Sequence, residues 1–328
     1  MKYVPVLDKG FRPMYAEFKK YSAEVENSAN KTLKICVERN DGYNYIYEYK
    51  IFADKEKTDE NNRMAERIVK TILWLVGGYK IYIAGDENVY KFIKAAYTKE
   101  GIRAFDKGFM ERVYEKPFEV VLCDDKTFPA EKKCSLSVGG HLDGCRIGFD
   151  AGGSDRKVSA VIDGKVVYSE EVVWFPKINP DPDYHYNEIL TAFKTAASKM
   201  PRVDAIGVSS AGVYVNNKIM VASLFLKVND EDFEKKVKTM YIDVAKEIGK
   251  DIPLEVANDG DVTALAGAID LNDDSVLGIA MGTSEAVGYI NNNGGLNGWL
   301  SELAFVPVDY NKDSMVDEWS GDYGCGVK

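Results

Sequence analysis

Apolar and polar residues alternate along TLKICVERN (32–40) and YNYIYEYKIFA (43–53), the period-two pattern of half-buried strands. Asp41-Gly42 between them is a hairpin turn signal. The pattern then lengthens to a helical period over NRMAERIVKTILWLV (62–76), which stops at Gly77-Gly78, residues suited to a C-terminal cap. KIYIAG (80–85) predicts a buried strand and ENVYKFIKAAY (87–97) a following helix. Charge and turn formers accumulate from Glu115 to Gly144, and a domain boundary is expected near residue 140. Beyond it RIGFDAG (146–152), KVSAVID (157–163) and VVYSEEVVWF (166–175) predict an antiparallel meander. A helix at about 186–200, the strand VDAIGVSS (203–210), a helix at about 231–249, the strand LEVAN (254–258) and the helix TALAGAI (263–269) follow. This βββαβαβα order is that of a ribonuclease-H-like α/β domain.

An internal repeat sharpens the picture. IGFDAGGS (147–154) and LGIAMGTS (277–284) align without gaps, and Asp163-Gly164 and Asn293-Gly294 keep the same offset of 130 residues. Two strand-turn-strand units with one spacing predict a duplication.

Composition narrows the chemistry. The chain has 328 residues, a formal net charge of −10 and 45% hydrophobic residues, enough for two or three cores. The acidic balance disfavours non-specific nucleic-acid binding, which needs clustered Lys and Arg. The longest apolar run, ILWLV (72–76), is far short of a membrane span, and MKYVPVLDKGFRP lacks an apolar signal core, so a soluble cytoplasmic protein is expected. Five cysteines without CxxC spacing suggest neither a disulfide framework nor a zinc ribbon. With only His141 and His185, mechanisms needing several imidazoles are disfavoured. Carboxylates, backbone amides and an oxygen-bound metal remain.

Gly152, Gly153 and Ser154 in the first repeated turn, and Gly282, Thr283 and Ser284 in the second, would let backbone N–H groups approach phosphates from both sides of a cleft. Asp150, ending the first strand, would hold Mg²⁺ directly or through water. In LEVANDGDVTALAGA, Asn258-Asp259 falls where a strand meets a helix. A plain helix cap by Asp259 or Asp261 is one reading. The other makes Asp259 a general base toward an alcohol, with Asn258 bonding a neighbouring hydroxyl.

These motifs, in this order, resemble the ROK family of sugar kinases and repressors, within the actin, Hsp70 and sugar kinase superfamily, over residues 145–325. GFDAGGSDRKVSAVIDGKVV is similar to the family's first phosphate motif with Ser154 for the usual Thr, AIGVSSAG to the strand opening the sugar pocket, and VANDGDVTALAGA to its NDAN-type segment. IAMGTSEAVGYINNNGGLNGWLSELAF is similar to the second phosphate motif running into the GEIGH segment. The resemblance implies duplicated ribonuclease-H-like domains of the actin-like ATPase fold. It also implies ATP and Mg²⁺ as cofactors, Asp259 as catalytic base, Asn258 and Glu302 as sugar contacts, and closure about a hinge near 271–275. The expected activity is phosphorylation of a sugar or related polyol. The alternative is a non-catalytic sugar-binding or regulatory protein, whose DNA-binding form is weakened by the lack of a basic recognition helix in the first 140 residues. No nucleic acid or membrane is expected as a partner, and a homodimer is left open.

Departures from the family pattern accompany the matches. Phe305 stands where GEIGH has its His, and EWSGDYGC (318–325) aligns with the zinc loop but with Glu318 and Ser320 in place of cysteines, so no structural zinc is expected. Val327 replaces a sugar-contacting Glu. The sequence stops at Lys328, where the family continues through its adenosine-holding segment. The expected organisation is an N-terminal α/β domain at 1–140, a first ribonuclease-H-like domain at 141–274 and the start of a second at 275–328. Either the sequence is a fragment, or residues 1–140 cover the open second copy; in the second case KIYIAGDENVYKFIKAAY would be a permuted nucleotide-side βα unit, although any α/β domain contains such a unit. Trp174 and Phe175 are expected in the core. Tyr184, His185 and Tyr186 are expected in a solvated loop that caps a helix.

Overall fold

The computed structural model describes residues 5–134, 140–281 and 285–326. The chain divides into two units, Met1–Ser135 with Asn297–Lys328, and Leu136–Leu296. The segment expected to open a second domain at 275 is therefore split: its hairpin stays with the second unit, and its remainder belongs to the first.

In the first unit, α1 (Met14–Glu26) precedes β1 (Asn30–Glu38) and β2 (Asn44–Phe52). Their antiparallel pairing turns at Asp41 and Gly42, both with positive φ. The long α2 (Thr58–Val76) ends at Gly77 and Gly78 as its sequence predicts, with φ of 81° and 151°. Then come β3 (Lys80–Ala84), α3 (Glu87–Ala96), α4 (Ala104–Tyr114) and β4 (Glu119–Cys123). The sheet order is β2-β1-β3-β4, with β3 and β4 parallel. The strand-to-helix junction after β3 is tight: Gly85 has φ 102°, and the Asp86 carboxylate accepts hydrogen bonds from the N–H groups of Asn88 and Val89.

Residues 297–328 complete this core. The N–H groups of Leu300, Ser301 and Glu302 donate to the carbonyls of Val76, Leu75 and Trp74, satisfying the C-terminal end of α2. Phe305 stacks on Trp74 with ring centroids 4.3 Å apart. An imidazole there would give up this apolar contact, which is why an aromatic hydrocarbon suits the position.

The second unit contains the meander β5 (Cys145–Ala151), β6 (Asp155–Ile162) and β7 (Lys165–Val173). It continues with α5 (Pro182–Ala197), β8 (Ala205–Ser210), and the small hairpin β9 (Val213–Val215) and β10 (Lys218–Val221). Next are α6 (Asp230–Asp232) running into a π-helical turn, α7 (Met240–Ile248), β11 (Leu254–Asn258) and α8 (Asp259–Leu271). The sheet order β11-β8-β5-β6-β7, with β5, β8 and β11 parallel and β6 antiparallel to its neighbours, is the ribonuclease-H-like arrangement. The inward faces of β5, β6 and β8, including Ile147, Phe149, Val158 and Ile206, bury against α5 and α7.

The second copy of the repeat is a two-stranded sheet, β12 (Leu277–Met281) and β13 (Glu285–Tyr289). It differs from β5–β6 by one residue of register: Gly148 pairs with Ser159, and the repeat offset would pair Gly278 with Tyr289, but Gly278 faces Gly288. The reason is close packing on α8. A Cβ on Gly288 would lie 2.4 Å from the Cα of Asp261, and one on Gly278 would lie 2.6 Å from the Cα of Ala264, so both positions require glycine.

Candidate active site

Strand order sets the site. The carboxyl ends of the three parallel strands lie side by side, with Asp150 of β5 beside Ser209 of β8, and Ser210 of β8 beside Asn258 of β11. Asp259 then opens α8. Adjacent strands are about 4.8 Å apart, so this edge presents oxygen-bearing side chains across roughly 10 Å, where α/β sheets bind ligands.

Asp150 is half-buried, and among the described residues its carboxylate takes no hydrogen bond or ion pair. Asp259 is also half-buried, and burial is the main cause that raises its pKa; bonds from backbone N–H groups oppose the shift and the charge of Asp150 adds to it. Asp261, two residues further along the first turn of α8, is pushed up to about 7 by burial and then by the charge of Asp259. Sequence spacing pointed to Asp259 as the base and left Asp261 only as a cap candidate; the raised pKa of Asp261 comes from its burial where α8 lies against β13, which the sequence pattern did not reveal.

The helix cap falls on neither aspartate. Asn258 Oδ1 accepts from the Gly260 N–H at 2.7 Å, and Asn258 Nδ2 donates to the Gly212 carbonyl at 2.8 Å. Its amide thus ties the end of β11 to the turn after β8. Gly212 itself, at φ 142°, has no room for a Cβ against the Val221 carbonyl.

The turn at Gly152, Gly153 and Ser154 connects β5 to β6, and neither glycine has positive φ. Their value is closeness. A Cβ on Gly152 would meet the Asp155 carbonyl at 2.6 Å. The Ser154 hydroxyl donates to Asp155, whose carboxylate also pairs with Lys157. Trp174 clasps the turn twice: its indole N–H donates to the Gly152 carbonyl at 2.8 Å, and its backbone N–H donates to the Ser154 carbonyl at 3.1 Å. Trp174 is buried as expected and also shapes the turn, whereas Phe175, expected in the core beside it, is exposed. His185 differs from expectation: it lies fully buried in the first turn of α5, its ring nitrogens 2.9 and 3.0 Å from the carbonyls of Asp181 and Pro176.

Gly282, Thr283 and Ser284 lie outside the described residues, as does Val327. Glu302 belongs to the first unit, at the end of α2. There too the segment aligned with the zinc loop is organised by carboxylates. Asp317 accepts from the N–H groups of Trp319 and Ser320, while Asp322 pairs with Arg67, Lys70 and Arg103.

The donor set fits a magnesium ion that arrives with a nucleotide. Mg²⁺ commonly takes one or two carboxylates and fills its remaining positions with phosphate oxygens and water, and Asp150 has both oxygens available. Among the described residues no group of three or more His, Cys, Asp or Glu side chains could enclose a metal unaided. No described helix is long and apolar enough to cross a membrane.

No protein-family model and no curated protein matches the chain. Solved structures do. A ROK family transcriptional regulator, a homologue of the E. coli MLC protein, is 21% identical over 56% of this chain and 46% of its own, with a TM-score of 0.44. The ROK hexokinase from Thermus thermophilus is 17% identical over 55% and 57%, with a TM-score of 0.43. Glucokinase from Parabacteroides distasonis is 18% identical over 51% and 50%, with a TM-score of 0.41. The chain spans about half the length of these structures.

Proposed function

We propose that the chain transfers a phosphoryl group from ATP to a hydroxyl of a sugar or related polyol, with Asp259 as general base. The observation that supports this most is a pair of half-buried carboxylates at neighbouring strand ends, Asp150 near the end of β5 and Asp259 just after β11, neither in an ion pair among the described residues and both near a tight glycine turn. When bound, MgATP supplies the phosphoryl group and the neutralising charge. Asp150 would hold the ion, and the backbone of Gly152 to Ser154 would position phosphate oxygens. Asp259, raised in pKa by burial, is a stronger base than an exposed carboxylate and takes the proton from the attacking hydroxyl. Positioning and charge neutralisation supply most of the acceleration in phosphoryl transfer, so a small set of side chains suffices.

A panel of sugars and polyols incubated with MgATP tests this directly. Wild-type chain forms an ATP-dependent phosphate ester with one of them, and Asp259→Asn reduces the rate by about 10²–10⁴-fold. The proposal fails if no member is phosphorylated and Asp259→Asn leaves ligand affinity unchanged. One observation favours the non-catalytic alternative: Asn258 spends its amide on Gly212 and Gly260. A sugar-binding protein would show a sugar-induced rise in melting temperature that MgATP does not alter.

A further inference from the structure

Beside the turn at 152–154 lies a cation that no motif identified. The side chain of Lys177 crosses directly over Gly153: a Cβ there would lie 2.7 Å from Lys177 Cε and 2.8 Å from its Nζ. Glycine at 153 is what admits it. Lys177 sits in the short helical turn Pro176–Ile178 after β7, and this segment is fixed from several directions. Trp174, 1% exposed, holds it to the carbonyls of Gly152 and Ser154. The Phe175 N–H donates to the Tyr184 hydroxyl at 3.0 Å, and the Pro176 carbonyl lies 3.0 Å from Nε2 of the buried His185. The root of the lysine is therefore held by two buried side chains, while its ammonium, Gly153 and Ser154 face solvent.

Charge at the turn is uneven. Asp155, the nearest carboxylate in sequence, is already satisfied by Lys157 and the Ser154 hydroxyl. Lys177 has no ion-pair or hydrogen-bond partner among the described residues, in a chain of net charge −10. An ammonium placed over open backbone and left unpaired suits an anion with several oxygens, one seated on the turn and another on the lysine.

We infer that Lys177 is a positioning residue that binds the polyphosphate of the nucleotide over the Gly152–Ser154 turn. This deepens the proposed function and rests on its assignment of that turn to phosphate. The test is calorimetric binding of MgATP, adenosine and inorganic pyrophosphate to full-length wild type, Lys177→Met, Lys177→Arg and Lys165→Met. Lys165 is an exposed lysine at the start of β7 and serves as the control.

The expected result is a weakening of MgATP and pyrophosphate by about tenfold or more in Lys177→Met, with a shallower salt dependence. Lys177→Arg should stay within a few-fold of wild type, adenosine should bind all four proteins alike, and Lys165→Met should match wild type. Equal MgATP affinity in wild type and Lys177→Met overturns the inference and leaves the kinase proposal standing. Pyrophosphate binding that is lost in Lys177→Met, without MgATP binding to wild type, supports the inference and overturns the nucleotide assignment. If wild type binds neither MgATP nor pyrophosphate, both fall.

Discussion

Each unit gathers three acidic side chains, and the two sets are treated in opposite ways. In the first unit Glu66, Asp106 and Asp322 are almost fully buried and meet three equally buried cations. Asp322 alone approaches Arg67 at 3.0 Å, Lys70 at 2.8 Å and Arg103 at 2.8 Å, and Glu66 pairs with Arg67 and Arg103. The Trp74 indole donates to Asp106. In the second unit Asp150, Asp259 and Asp261 are half-buried and make no ion pair among the described residues; burial raises Asp259 and Asp261, and the charge of the preceding carboxylate adds to each shift. Balanced buried charge fixes one arrangement of α2, α4 and the 317–325 loop. Unbalanced half-buried charge at strand ends costs stability, which is the cost the proposed role in binding a cation and taking a proton would account for.

The largest effect expected from breaking this contrast is in the balanced set. Asp322→Ala leaves three buried cations facing two carboxylates, and chemical denaturation should show a loss of about 3–5 kcal/mol. In the unbalanced set the sign reverses. Asp261 has a folded pKa near 7, above its unfolded value, so the folded chain keeps a proton that the unfolded chain has released. Stability from this group is present at low pH and falls as pH rises from about 4 to 7. Asp106, raised to about 6, contributes in the same direction at lower pH, so the effect of Asp261 is read between pH 6 and 7.5. Asp261→Asn should flatten that limb and stabilise the chain by about 1–2 kcal/mol at pH 7.5, the size being limited by partial exposure. The smallest effect belongs to the turn: Trp174→Phe removes the indole bond to Gly152 and should cost about 1 kcal/mol, read as a lowered melting temperature.

The periodic part of the fold was legible in the sequence. Alternation in RIGFDAG and KVSAVID gave β5 and β6, and the helical period over 62–76 with its two glycines gave α2 and its end. Weak patterns were not: α1 buries only Tyr21 and Val25, α4 carries a glycine in its middle, and β9 has three residues. Of the candidate site, the placement of Asp150 and Asp259 at neighbouring strand ends was legible, because each falls where an apolar alternation stops. Asp261 could not, since its environment depends on Gly288 reaching α8. The roles of Lys177 and Trp174 at the turn were not legible, because both reach it from 20 or more residues away by tertiary contact, and His185, expected in a solvated loop, is buried beneath the same segment against the Pro176 carbonyl. The split of residues 275–328 was equally invisible: Asp322 is an ordinary loop aspartate in sequence and becomes an anchor only beside Arg67, Lys70 and Arg103.

The contrast between the two carboxylate sets is tested most directly by urea unfolding of Asp259→Asn beside wild type at pH 7.5. Removing an unpartnered charge at a functional strand end should leave the midpoint equal to or above that of wild type while phosphoryl transfer is lost. A clearly lowered midpoint, of the size expected for Asp322→Ala, would contradict the account by making Asp259 part of the structural framework.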